Sequence, residues 1–330
     1  MKFRFSGHET FVCRYPWLPK AVKAVSETPG VFSNEDEAMV TLGVGKNMVR
    51  SIRFWAEAMN IIEGDSEKGF HVSDFGNAIF GPKGFDPFLE DERTLWLLHW
   101  KLSTRIDEPL FAWNFLLNNW HEPELTRTDI LRTITKLPEL VELKLSNVTI
   151  EEHLDVFFRT YFPTRGKKGE VKEDNLDSPF LELRLLEKIG DCSGRDGHSQ
   201  VEPVFSFRRE EKPEIDCVLF SYALNDFFET RFPKEKTLPF KEVAFGIGSP
   251  GQIFKLPEKE VRERLEQMNS QENALFGFSE SSVLQQIHKK KSISSLALVK
   301  QVYQPKYLNV KGLNMENWAN IVSIGNGKRL

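Results

Sequence analysis

The most informative chemical pattern in the sequence is a cationic face on one predicted helix. Between residues 46 and 60, apolar residues recur on one side at helical spacing. The opposite side carries Lys46, Asn47, Arg50 and Arg53. A helix that enters the major groove of DNA packs by its apolar side and directs basic and amide side chains at phosphates and base edges. The pattern therefore predicts a DNA-binding helix.

The elements on either side of this helix favour a winged helix-turn-helix. A short helix with an acidic first turn is expected over 35–42, and the glycine-containing turn 43–45 follows it. After the long helix, residues 61–72 read as apolar, polar turn, then aromatic and β-branched, which is typical of a hairpin. The hairpin would be the wing, with Lys68 and His71 in contact with DNA. The alternative is that Lys46, Arg50 and Arg53 form an ordinary solvent-exposed helix face that does not contact DNA.

The adjacent pair His8-Glu9 is the second candidate site. A histidine beside a carboxylate can act as a general base or bind a metal ion, and Arg14 could hold a phosphate. We interpret His8 and Glu9 as candidate catalytic residues for phosphodiester hydrolysis. A metal in such a site would be Mg²⁺ or Mn²⁺, held by carboxylates that the sequence does not identify. The alternative is that both residues only fix the N-terminal segment.

Composition excludes several classes of protein. The chain has 330 residues, with 44 basic and 48 acidic side chains, so it is not a globally basic nucleic-acid binder, although a local basic patch remains compatible. Three widely spaced cysteines without a CxxC predict a reduced, cytoplasmic protein without structural zinc. No apolar run has the length of a signal core or a membrane span. Residues 43–47 depart from the Walker pattern, so no bound nucleotide is expected.

The predicted fold class is mainly α with small β elements, in three parts. Residues 1–84 would hold an N-terminal arm and the winged helix-turn-helix, 85–165 a Trp-rich helical region, and 170–330 a mixed α+β domain. The segment 163–178 is rich in Pro, Gly and charge, which predicts an exposed linker. In the last part we expect helices over 179–189, 214–228 and 257–269, and strands over 204–207, 275–278 and 295–303.

The opening residues Phe5–Phe11, FSGHETF, resemble the signature of the SspB-like family of single-stranded DNA phosphorothioation loci in bacteria. The stretches 42–55, 84–100 and 248–256 resemble that family as well, so the similarity covers nearly the whole chain. In such loci a cysteine desulfurase, an ATPase and an ATP-pyrophosphatase-like protein insert sulfur into the DNA backbone. The resemblance implies DNA as the substrate and nicking as the activity. It assigns no catalytic residues.

From these observations we expect a cytoplasmic DNA-binding protein of an anti-phage phosphorothioation system, with metal-dependent nicking as the candidate activity. Its expected partners are double-stranded DNA and the sulfur-transfer and ATPase proteins of the same locus, and no membrane. The alternative is a non-enzymatic winged-helix transcription regulator or adaptor. A third possibility is a protein-interaction scaffold that binds no DNA.

Overall fold

The computed structural model describes residues 2–65, 67–143, 145–163, 178–193, 201–271, 274–281 and 284–304. The first half of the chain contains α1 (Trp17–Glu27), α2 (Glu35–Leu42), α3 (Lys46–Ala58), β1 (Ile62–Asp65), β2 (Gly69–Val72), α4 (Asp74–Phe80), α5 (Glu92–Thr104), α6 (Phe111–Asn114), α7 (Arg127–Ile134), α8 (Pro138–Leu143) and α9 (Asn147–Tyr161). The second half contains β3 (Leu186–Ser193), β4 (Val201–Phe207), α10 (Cys217–Arg231), β5 (Thr237–Pro239), α11 (Phe240–Phe245), α12 (Pro250–Ile253), α13 (Glu258–Asn269), β6 (Phe276–Glu280), β7 (Gln285–Lys289) and α14 (Ser295–Val302).

The described fold is mainly α with small antiparallel sheets, as predicted. β1 pairs with β2 in a hairpin that aligns Ile62 with Val72. β3 pairs with β4, and the short strands β5, β7 and β6 form a sheet in that order. Each sheet is too small to form a layer of its own, so helices provide most of the buried surface.

Local sequence signals explain the elements around α3. The Asn34 side chain accepts hydrogen bonds from the backbone N–H groups of Asp36 and Glu37 and so caps α2. Gly43 ends that helix with φ 65°, a left-handed conformation that glycine adopts without steric cost. The predicted short helix, turn, long helix and hairpin are therefore present. Their assignment as a winged helix-turn-helix stays a prediction.

One connected hydrophobic core extends from Phe5 to Val302. Trp96, Trp100 and Trp113 are almost completely buried in it and contribute large apolar areas to the core. The Trp100 indole donates a hydrogen bond of 2.8 Å to Asp226 of α10, and this contact links the two halves of the chain. The division into three domains stays a prediction.

Three local predictions were wrong, and most of the proposed linker lies outside the described residues. Residues 179–189 do not form one helix, because a 3₁₀ turn over Pro179–Leu183 leads into β3. The pairing of β3 with β4 outweighs the helix-forming composition of this segment. Residues 295–303 form α14 instead of a strand. Ser294 caps it, and its apolar residues bury at helical spacing. The N-terminal segment, predicted to be an arm, contains the eleven-residue helix α1.

Within the described residues, every helix is too short or too polar to cross a lipid bilayer.

Candidate nucleic-acid interface

Helix α3 separates its apolar and polar sides as the sequence predicted. Ile52 and Trp55 are fully buried, whereas Lys46 and Asn47 are exposed in the first turn. The helix begins after Gly45 without a side-chain cap and without an acidic residue in its first turn. A lysine at this end adds positive charge to the positive end of the helix dipole. This arrangement is unfavourable for an isolated helix and favourable for binding an anion.

Two glutamates hold the cations of α3 in ion pairs. Glu35 of α2 binds Lys46 at 2.7 Å and receives two hydrogen bonds from Arg50, at 2.6 and 3.2 Å. The hydrogen bond from Arg50, followed by that from Lys46, lowers the pKa of Glu35 to about 2. Further along α3, Glu57 lies 3.6 Å from Arg53, one turn earlier on the same helix.

A fourth cation, Arg4, joins this surface from the N-terminal segment. Its guanidinium lies 3.3 Å from Glu57 and 4.2 Å from the centroid of the Phe54 ring. The sequence analysis did not select Arg4 because its partners lie about 50 positions away in the chain. With Lys46, Arg50 and Arg53 it forms a group that we call the α3 cationic face. The basic side chains of the face outnumber Glu35 and Glu57, the two glutamates that pair with them.

The signature loop, defined here as residues 5–11, packs directly on α3. The Ser51 hydroxyl donates to the backbone oxygen of His8 at 3.1 Å, and the Trp55 indole donates to that of Phe11 at 3.2 Å. Gly7 has φ 107°, and a Cβ there would lie 2.7 Å from the Phe54 ring. The loop therefore needs a glycine at this position for two independent reasons.

Glu9 lies in this loop beside the α3 cationic face. The hydrogen bonds that Arg50 donates to Glu35 are the main cause that raises the pKa of Arg50, and the negative charge of Glu9 contributes in the same direction. Glu9 and the next residue, Thr10, both have positive φ, at 47° and 62°. Two consecutive non-glycine residues in the left-handed region are energetically costly, and such conformations concentrate at functional sites.

His8 has a different environment from its neighbour. It is 3% exposed, and its ring stacks on His153 of α9, with the centroids 5.3 Å apart. Its Nε2 lies 3.1 Å from Nδ1 of His153, and the Thr10 backbone N–H donates to its Nδ1 at 3.1 Å. Burial lowers the pKa of His8 to about 4 and holds that of His153 well below its usual value. Both rings are therefore neutral near pH 7.

The two predicted contacts on the hairpin are exposed and have partners within it. The Lys68 backbone N–H donates to Asp65 at 2.7 Å, which shapes the turn and leaves the side chain at the surface. His71 lies opposite Glu63 in the strand register, 3.6 Å from its carboxylate. The structure thus joins Lys46, Arg50, Arg53 and Glu9 in one surface, and places Lys68 and His71 on the hairpin that follows.

A protein cage for a metal ion is absent from the part of the chain that the structure describes, where no three His, Cys, Asp or Glu side chains are suitably grouped. Mg²⁺ often binds through one or two carboxylates and completes its shell with water and substrate phosphates. Glu9 could contribute to a site of this open kind, because it lies beside cations that could hold the same phosphate.

The chain matches the family model described as "Protein of unknown function (DUF4007)" over residues 5–303. It belongs to the DUF4007 family. This DUF4007 chain also resembles two solved structures along nearly its whole length. An SspB crystal structure is 26% identical, with a TM-score of 0.74 over 98% of this chain and 94% of that one. A magnesium ion-bound SspB crystal structure is 24% identical, with a TM-score of 0.73 over 98% and 93%.

These comparisons confirm that the DUF4007 chain is SspB-like, as the signature residues suggested. The match to the magnesium-bound structure supports the shared fold. None of the curated proteins matches the chain.

Proposed function

We propose that this DUF4007 protein is a cytoplasmic DNA-binding component of a bacterial phosphorothioation system for defence against phage. The observation that carries the proposal is the α3 cationic face, which projects from a helix whose other side is fully buried. Lys46, Asn47 and Arg50 occupy its first turns, where a recognition helix contacts DNA. The preceding α2 and the following hairpin support a winged helix-turn-helix. The likeness to SspB supports the phosphorothioation setting.

The ion pairs on this face determine how strongly it can respond to DNA. In the free protein Glu35 binds both Lys46 and Arg50, so a phosphate must compete with that carboxylate. Because the pairs are partly exposed, each contributes little stability and can exchange for a DNA phosphate. Glu35 therefore positions the side chains before binding and reduces the net number of counterions released.

A salt titration of duplex binding tests the interface. Replacing Lys46, Arg50 and Arg53 with Ala should reduce the magnitude of the slope of log K against log[salt] by roughly two to three. None of the three side chains belongs to the buried side, so the variant should remain folded. A matched control replaces the exposed Lys234, Lys241 and Lys259 with Ala, which changes the net charge equally. An unchanged slope in the folded α3 variant would remove the assignment of α3 as the DNA-binding helix.

We further propose that the signature loop carries a metal-dependent DNA-nicking activity. The specific observation is the strained, left-handed Glu9 beside cations that could hold a phosphate. Mg²⁺ or Mn²⁺ at Glu9 would supply an activated water for phosphodiester hydrolysis. His8, which is neutral and buried, would position the loop through the core.

Nicking of supercoiled plasmid, with and without EDTA, tests this activity. Glu9→Gln keeps the shape of the side chain and removes its charge. A catalytic role predicts lost nicking with near-wild-type duplex binding and melting temperature. A structural role predicts that stability and nicking fall together. Full nicking by Glu9→Gln would exclude the catalytic role.

The alternative proposal is a non-enzymatic transcription regulator or adaptor that uses the same α3 face. It predicts the same salt dependence but no nicking with any divalent metal. A scaffold without DNA binding would give no salt-dependent duplex binding. The proposed protein partners are the sulfur-transfer and ATPase proteins of the same locus, and co-purification from cells that express the locus tests for them.

A further inference from the structure

A separate cavity lies between the β1–β2 hairpin and the N-terminus of α14. Its volume is about 470 Å³. Two largely buried side chains, Lys101 of α5 and Tyr222 of α10, line its inner part, whereas Ser294 and Ser295 line the side formed by α14. The proposed function uses none of these four residues.

The Tyr222 hydroxyl is the first observation that points to a ligand. The side chain is 1% exposed. The Lys101 ammonium lies nearby, but among the described residues the hydroxyl has no hydrogen-bond partner. A buried donor without an acceptor is costly. A ligand that accepts a hydrogen bond in this cavity would remove that cost.

Lys101 supplies further N–H donors at the same place, in an ion pair with Asp226. Its ammonium donates to Asp226 at 2.8 Å. Burial opposes the charged form, but the neighbouring Tyr222 and Asp226 outweigh this effect and raise the pKa of Lys101. An ammonium has three N–H donors, so two remain after the hydrogen bond to Asp226.

The N-terminus of α14 adds donors from a third direction. Ser294 caps this eight-residue helix by accepting a hydrogen bond from the Ala297 N–H at 3.2 Å. The other first-turn N–H groups of a helix lack intrahelical partners, and the helix dipole favours an anion at this end. The Ser295 hydroxyl donates only a long hydrogen bond, 3.4 Å, to Glu229. Donors from α5, α10 and α14 therefore converge on one cavity.

Acidic side chains also border the cavity, and their positions matter. Glu63 and Asp74 lie at its exposed edge, where Glu63 is 3.6 Å from His71. Solvent and salt screen exposed charges strongly, whereas donors in the buried part act at close range. The buried Asp226 is occupied by hydrogen bonds from Trp100 and Lys101, so the remaining buried donors determine the class of ligand.

We propose that this cavity binds a phosphate group, with Lys101, Tyr222 and the N-terminal turn of α14 as the hydrogen-bond donors. The occupant is a backbone phosphate of a nucleic acid or a free phosphate compound. Glu229, which receives the long hydrogen bond from Ser295, is itself paired with Lys289. The site is independent of the α3 cationic face.

Calorimetric titration of the full chain with inorganic phosphate, at constant ionic strength, tests the proposal. Tyr222→Phe should weaken phosphate binding by about tenfold or more, because a hydrogen bond to a charged acceptor is lost. The same change should leave the melting temperature in chloride equal or higher, since it removes an unsatisfied hydroxyl. Ser295→Ala should weaken binding as well, while Ser270→Ala, at an exposed serine elsewhere, should not.

Duplex binding then distinguishes the two sources of phosphate. If the occupant is a DNA phosphate, Tyr222→Phe also weakens duplex binding, whereas a free phosphate compound predicts unchanged duplex binding. The triple α3 variant should retain its affinity for inorganic phosphate, so failure of the α3 interface and failure of this site are separable. No phosphate binding by the wild type, or equal binding by wild type and Tyr222→Phe, would overturn the proposal.

Discussion

The buried histidines make the protein sensitive to mild acid. Burial lowers the pKa values of His8 and His99 to about 4, and that of His153 also lies well below the ordinary value of about 6.5. In the unfolded chain these rings accept protons as the pH falls through about 6.5, but in the folded chain they remain neutral. The stability associated with each histidine is therefore present above pH 6.5 and is lost as the pH falls towards 4.

The size of the effect follows from the shifts. A group that titrates near 6.5 when unfolded and near 4 when folded loses about 2 kcal/mol of folding free energy between pH 7.5 and pH 5. His8 and His99 together account for about 4 kcal/mol, and His153 adds to this. Because domains are stable by about 5–15 kcal/mol, a large fraction of the total is lost before most carboxylates titrate.

Urea unfolding at several pH values between about 7.5 and 5 measures this loss. His99→Gln should reduce the slope of unfolding free energy against pH by the contribution of one buried histidine, whatever its effect on absolute stability. Ile52→Val, which destabilises the core without removing a titrating group, should leave the slope unchanged. A stability that stays constant between pH 7.5 and pH 5 would refute the reasoning.

Three further substitutions test the site. Ile52→Asp should unfold the N-terminal region, because a lone buried carboxylate costs several kcal/mol. A wild-type melting curve for this variant would show that α3 does not pack on the core through the side that contains Ile52. Gly7→Ala should destabilise by about 1–3 kcal/mol in urea unfolding and weaken duplex binding, since the added methyl meets Phe54 at a positive φ. Glu35→Gln should strengthen duplex binding and steepen its salt dependence by releasing two cations, and weaker binding would assign Glu35 an essential positioning role.

Local signals in the sequence predicted α2, α3 and the hairpin well. The cap at Asn34, the left-handed Gly43 and the apolar arc through Ile52 each act within a few residues, so their effects can be read without tertiary structure. α14 shows the limit of this approach. The segment was predicted to be a strand, whereas burial of one helical side determined the outcome.

The composition of the candidate site depended on contacts that span the chain. Arg4 reaches the α3 cationic face through Glu57, and the charge of Glu9 acts on Arg50 because the signature loop packs on α3. The pairing of His8 with His153 joins residues 145 positions apart. Such long-range contacts cannot be predicted from the composition of the sequence or from the spacing of its residues. The i,i+4 pair of Arg53 and Glu57 is a contact of this surface that spacing could predict.

Site-specific photo-cross-linking tests the central claim, that α3 contacts DNA, most directly. A p-benzoylphenylalanine in place of the exposed Asn47 should cross-link to duplex DNA, and unlabelled duplex should suppress the product. The same group in place of Val148, an exposed residue at the start of α9, serves as the control and should give no product. A protein that binds duplex but cross-links at position 148 and not at position 47 would contradict the account.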